Sequence, residues 1–349
     1  MSRPLPATRI ALPATIAPAM PDPSDIVIAL RGETMGTTWH AQFAAPRDCD
    51  AAAIHRAIHR AIVSRLAGIV AAMSHWAPTS LLSRFNLAAA GTWTALPTDF
   101  ARVMVRALAV AETTGGAFDP AIGRLVDAWG FGPIPVEGLP SKPQIEAAMA
   151  RSGWRHLALS TSTTSTSTTS TSTTSRSATG THLLQPGGIA LDLSGIAKGY
   201  AVDAVAALLE AAGFVHHLVE IGGELVGAGM RPDGDPWWVD LETPTGTILP
   251  PLRLALHGMA VATSGDYRRG AHTLDPRTGR AIDTGIVSAS VIHRTAMDAD
   301  AWATALTVLG PVAGLELARE HGLAARLVTL VDGDTCEYLS PRLAAMLSD

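Results

Sequence analysis

Leu191-Asp192-Leu193-Ser194-Gly195-Ile196-Ala197-Lys198-Gly199-Tyr200 reads as the end of a strand, a tight turn and the start of an amphipathic helix. The strand is expected near 188–193 and the helix over 199–212, where Ala, Val and Leu recur around Asp203 and Glu210. Working outward, strands are predicted near 217–226, 236–242, 253–263 and 287–293, followed by helices at about 300–309 and 312–321, with Gly322 as a stop. Towards the N-terminus, Ile26–Leu30 and Thr37–Phe43 alternate as strands. Ile54, Ile58, Ile62, Leu66, Ile69 and Met73 mark a helix over 51–73. Another helix begins near Thr98, and Ser141 with Gln144 and Pro143 forms a capping-box start. Strands and helices mix without a regular βαβ beat. That pattern predicts an α+β fold of mixed or antiparallel sheets packed with helices.

Composition narrows the function. The 349 residues carry 26 Lys+Arg against 31 Asp+Glu, a formal charge of −5, and only 16% are charged. Such a chain lacks the basic footprint of a nucleic-acid binder, and its 47% hydrophobic content excludes disorder over most of its length. Only two of its cations are lysines, Lys142 and Lys198. Cys49 and Cys336 stand far apart and signal neither a disulfide framework nor a zinc site. No run of eighteen uninterrupted apolar residues predicts a membrane span.

Residues 1–24 are Pro-rich and read as a flexible tail or a weak targeting segment. Residues 25–345 then form the folded domain. Within it, 161–175 are three copies of Thr-Ser-Thr-Thr-Ser. Such sequence has nothing to bury, so 160–180 is expected as a disordered insertion in a hairpin between strands 155–159 and 182–184.

Three constellations carry chemistry. Lys198, at a strand-to-helix turn among glycines, is a compact cation suited to phosphate; an ordinary surface lysine fits as well. In Asp298-Ala299-Asp300-Ala301-Trp302-Ala303-Thr304, Asp300 and Thr304 share a helix face. This all-oxygen pair suits Mg²⁺, with simple helix capping as the plainer alternative. His272, ahead of the turn Asp275-Pro276-Arg277-Thr278-Gly279, is a base, a phosphate ligand or a packed histidine. Gly222-Gly223-Glu224-Leu225-Val226-Gly227 has the wrong spacing for a dinucleotide loop, and Ser264 lacks a nucleophile elbow.

In this order the segments resemble the ApbE family, the FAD:protein FMN transferases. The resemblance runs through Met35-Gly36-Thr37-Thr38-Trp39, Ser80–Asn86, Gly116-Ala117-Phe118-Asp119-Pro120, Trp129-Gly130-Phe131-Gly132, Asp192–Asp203, Ile221–Glu224, Thr263–Tyr267, His272–Gly279 and Asp300–Leu306. These nine blocks cover about 32–310.

The resemblance implies a T-fold-related catalytic domain. It also implies transfer of the FMN half of FAD to a Thr or Ser hydroxyl of an acceptor flavoprotein, releasing AMP. By that similarity Asp300, the Thr304 hydroxyl and the Gly195 carbonyl hold Mg²⁺. Lys198 and Asp192 line the nucleotide site, with Lys198 near the phosphates. Met35, Ala117, Phe118, Asp119 and the backbone at Thr273 contact FAD, and His272 helps to deprotonate the acceptor hydroxyl. The chain departs from the family at Met73-Ser74-His75-Trp76, where Trp76 replaces a frequent Tyr and can stack on a ring, and at Ser194, where Gly or Ala is usual. An FAD pyrophosphatase and a non-catalytic flavin carrier are the competing readings. No Asp-x-x-[Ser/Thr]-Gly-Ala-[Ser/Thr] acceptor motif occurs in the chain, so self-labelling is not expected. No convincing signal peptide or lipobox is read in the N-terminus, so a cytoplasmic location is the default expectation, whereas the resemblance allows a periplasmic or membrane-associated one.

Overall fold

A computed structural model describes residues 8–13, 19–162, 180–265 and 272–347. The chain divides into two compact units, 1–68 with 194–349 and 69–193, where the sequence predicts one domain over 25–345.

The first unit is built on an eight-stranded antiparallel sheet. Its order is Asp334–Leu339, Ala324–Val331, Ile286–His293, Met259–Ser264, Glu224–Ala228, His217–Ile221, Thr37–Ala45 and Ile26–Thr34. Successive side chains face opposite layers. Val291 packs with Trp302 and Leu306 of the helix Ala296–Glu320, whereas Ile292 packs with Leu254 and Leu256 of a three-stranded sheet on the other face. The predicted α+β class is therefore what the sequence builds.

Several boundaries move for local reasons. The predicted strand 217–226 is a hairpin turning at Gly222-Gly223, both at positive φ. Strand 253–263 is two strands, Leu252–Leu256 and Met259–Ser264, in different sheets, separated at Gly258 (φ 65°). The two last predicted helices are the halves of Ala296–Glu320, broken at Gly310 (φ 81°) just ahead of Pro311.

The expected flexible tail needs correcting. Arg9–Ala11 is a strand paired in parallel with Leu252–Leu254. Ala11 is buried, and Arg9 makes a two-pronged ion pair with Glu337, which also accepts from the buried Arg326.

The second unit holds the helices Leu81–Leu87, Thr98–Thr113, Gly123–Ala128 and Lys142–Met149 with a three-stranded sheet. It has its own buried residues, among them Phe85, Phe100, Met104, Leu125 and Leu183. The predicted hairpin is present as Ala158–Ser162 paired with Gly180–Leu184. The repeat segment predicted as disordered lies, from 163 to 179, outside the described residues.

The predicted strand 188–193 is instead extended loop. Its backbone is satisfied by side chains and loop carbonyls. The Asn86 amide accepts from Leu191 N–H (2.7 Å) and donates to Leu191 O (3.1 Å), Gln185 brackets Ile189, and Asp192 N–H donates to Pro120 O. With these polar groups spent on side chains and a loop carbonyl, the segment joins no ladder.

One described helix, Ala296–Glu320, is long and apolar enough to cross a membrane. Its buried residues, including Ala299, Ala303 and Leu306, pack into the first unit.

Candidate active site

In the first unit the quoted turn delivers its residues to one place. Gly195 lies against Thr304: a Cβ added to Gly195 would stand 2.7 Å from Thr304 Oγ1. Only glycine lets the loop backbone approach the hydroxyl so closely. One turn before Thr304 on the same helix, Asp300 is buried, and its Oδ2 accepts from Gly199 N–H at 3.0 Å. The helix start itself is held by Thr295, whose Oγ1 accepts from Asp298 N–H.

Lys198 is ion-paired with Glu224, a carboxylate only 3% exposed at the start of its strand. Glu224 belongs to a quoted sequence block, but its role goes unread there because its partner lies 26 residues away. Burial pushes the Glu224 carboxyl well above the usual carboxylate range; Asp300 adds to this and Lys198 opposes it. Burial likewise raises Asp300, against the pull of Lys198 and the Gly199 N–H. Two buried carboxylates therefore share one ammonium, and Glu224 Oε2 is buried without a hydrogen-bond partner. Uncompensated negative charge of this kind favours a further cation.

The residues present fit a hard divalent ion. Asp300 and Thr304 bring a carboxylate and a hydroxyl one helical turn apart, with Gly195 packed against that hydroxyl, and oxygen donors of this kind suit Mg²⁺. No cluster of three or more His, Cys, Asp or Glu among the described residues forms a metal site, so a metal here relies on this mixed set.

The remaining candidates fall into two groups. Met35, in the first unit, sits with Gly36 in a two-residue hairpin turn, both at positive φ (50° and 73°). That is the primed turn a tight hairpin prefers, and the conformation is uncommon for a non-glycine residue. His272 and Thr273 follow an undescribed stretch, 266–271, and the Thr273 carbonyl accepts from Ile282 N–H at 3.1 Å.

In the second unit Ala117, Phe118 and Asp119 are buried. Asp119 accepts from Ala121 N–H (2.7 Å) and Trp154 N–H (3.0 Å), so its carboxylate organises the turn; burial lifts it to about 6. The Asp192 N–H on Pro120 O brings Asp192 beside this block. Trp76 is 61% exposed.

Comparison with known proteins shows the family. The ApbE family model matches residues 35–327. The FAD:protein FMN transferase of Haemophilus influenzae is 36% identical over 318 residues, covering 88% of this chain and 87% of that protein. That of Escherichia coli K12 is 32% identical over 336 residues, covering 92% and 89%. Among solved structures, the apo form of Pseudomonas stutzeri flavinyl transferase ApbE superposes with a TM-score of 0.81 at 32% identity, covering 93% of this chain and 98% of that one. Flavin Transferase ApbE from Vibrio cholerae gives 0.79 at 30%, covering 92% and 99%. Fold and relatives together define a transferase. The chain belongs to the ApbE family.

Proposed function

We propose that this enzyme transfers the FMN moiety of FAD to a Thr or Ser hydroxyl of an acceptor flavoprotein in a Mg²⁺-dependent reaction that releases AMP. The observation that carries this reading is the meeting of Gly195, Asp300 and Thr304 beside the Lys198–Glu224 pair. An oxygen cage and a lysine are what a pyrophosphate requires.

Asp300, Thr304 and the Gly195 carbonyl would hold Mg²⁺. When bound, the ion supplies charge neutralisation to the phosphates. Lys198 offers a point charge to the same phosphates from the first turn of the helix Ala197–Ala211. Glu224 fixes where that ammonium points. His272 is assigned as the base that takes the acceptor hydroxyl's proton, a contribution of about 10²–10⁴-fold in enzymes that use one. By the family resemblance, FAD contacts are assigned to Met35, Trp76, Ala117, Phe118, Asp119, Asp192 and the Thr273 backbone.

The test is incubation with FAD, Mg²⁺ and candidate acceptor proteins, read as covalent flavin fluorescence on a denaturing gel. A fluorescent acceptor that disappears with EDTA supports the reading. Release of FMN with no labelled acceptor under any condition makes the enzyme a pyrophosphatase, and FAD binding without AMP makes it a carrier.

A further inference from the structure

Two helices of the first unit cap each other. On Ala197–Ala211, the Gly199 N–H and the Asp203 carboxylate are four residues apart and so share a face. On Ala296–Glu320, the Ala296 N–H and the Asp300 carboxylate have the same spacing. The two pairs are joined crosswise. Gly199 N–H donates to Asp300 Oδ2 (3.0 Å), Ala296 N–H donates to Asp203 Oδ1 (2.8 Å), and Met297 N–H donates to Asp203 Oδ2 (2.9 Å). The contact is backbone on backbone, since a Cβ at Gly199 would fall 2.1 Å from Ala296 O. One orphan N–H of the first helix start and two of the second are thus satisfied by the other helix's carboxylate.

The arrangement gives the two aspartates different tasks. Asp300 takes one backbone donor among the described residues, Gly199 N–H on Oδ2. Asp203 spends both oxygens on Ala296 and Met297, three to four residues before Asp300. We propose that Asp203 is a positioning residue that sets the enzyme's divalent-cation affinity. It fixes the start of the helix bearing Asp300 and Thr304 against the helix whose preceding turn bears Gly195. This rests on the reading that Asp300 and Thr304 hold the cation. Partners that orient metal ligands in this way typically account for about 10–100-fold in metal affinity.

The test uses the full-length protein freed of metal with EDTA and titrated calorimetrically with MgCl₂ alone, beside circular dichroism and thermal unfolding. Asp203→Asn keeps the shape of the side chain but loses one acceptor, and is expected to bind Mg²⁺ about 10–100-fold more weakly. Its kcat at saturating Mg²⁺ should stay within about threefold of wild type, because both Asp203 oxygens are spent on the Ala296 and Met297 N–H groups. Thr295→Ala removes the other cap of the same helix without touching the cross-link, and should bind Mg²⁺ within about threefold of wild type. Equal weakening in both variants overturns the proposal, since a merely loosened helix start would then suffice. So does an unchanged affinity in Asp203→Asn. If the Asn variant does not fold, Asp203→Glu, whose oxygens are displaced by one methylene, must bind at least about threefold more weakly; wild-type affinity overturns the proposal. Asp300→Ala separates the two ideas. If it loses Mg²⁺ binding and Asp203→Asn does not, only the positioning role fails. If it binds Mg²⁺ normally, the metal reading and the positioning role fail together.

Discussion

Gly195 and Thr304 meet with no room for a side chain between them: a Cβ on the glycine would lie 2.7 Å from the threonine Oγ1 and 3.2 Å from its Cγ2. Neither residue is remarkable in sequence, one a loop glycine and the other a helix threonine. Their contact turns two ordinary segments into one oxygen-lined corner.

Gly195→Ala should therefore act locally. The added methyl forces loop and helix apart, and an overpacked contact of this kind costs about 1–3 kcal/mol. Mg²⁺-dependent activity should fall by two orders of magnitude or more, while the far-ultraviolet spectrum stays that of wild type. Activity above a tenth of wild type would show that the contact does not matter.

The Lys198–Glu224 pair predicts an asymmetry. Lys198→Met leaves the buried Glu224 carboxyl without its counter-charge, which costs stability until that carboxyl takes up a proton. Glu224→Gln leaves a lysine that is 28% exposed and can turn to water, so it should cost less. Urea unfolding in EDTA is expected to rank Lys198→Met below Glu224→Gln. The reverse order would mean that Glu224 is not charged in the fold.

Asp119 gives the pH prediction. Its carboxyl is raised from 3.8 to about 6, chiefly by burial, with the Ala121 and Trp154 N–H groups opposing. Between those values the folded chain binds more protons than the unfolded one. The stabilising contribution is thus complete below pH 3.8 and lost as pH rises through about 6. Asp119→Asn removes that titration. Its stability relative to wild type should improve by on the order of 2 kcal/mol between pH 4 and 7, read from urea midpoints at each pH. A flat difference between the two proteins contradicts the assignment.

Much of this was legible in the sequence where the information is local. The isoleucine spacing from Ile54 to Ile69 marks the helix Ala51–Met73 at both ends, and Gly310-Pro311 announces the break in the long helix. What escaped depends on distant partners. Leu191 looks like strand until Asn86, 105 residues away, takes its backbone groups. Arg9 looks like tail until Glu337 holds it. The strand Ala324–Val331 is buried along most of its length, so it lacks the alternation that identifies a half-exposed strand. The site follows the same rule. Asp300 and Thr304 are four apart and readable as a pair, whereas Glu224 and Asp203 acquire their meaning from Lys198 and Ala296 across the fold.

The central claim is that FMN leaves FAD for a protein hydroxyl and that Asp300 makes this possible. The most direct measurement follows AMP release and the intact mass of an acceptor protein in one reaction. The account predicts one FMN added to the acceptor for each AMP released, with both abolished by EDTA and by Asp300→Ala. AMP released in excess while the acceptor's mass stays unchanged, or an Asp300→Ala enzyme that still labels the acceptor, would contradict it.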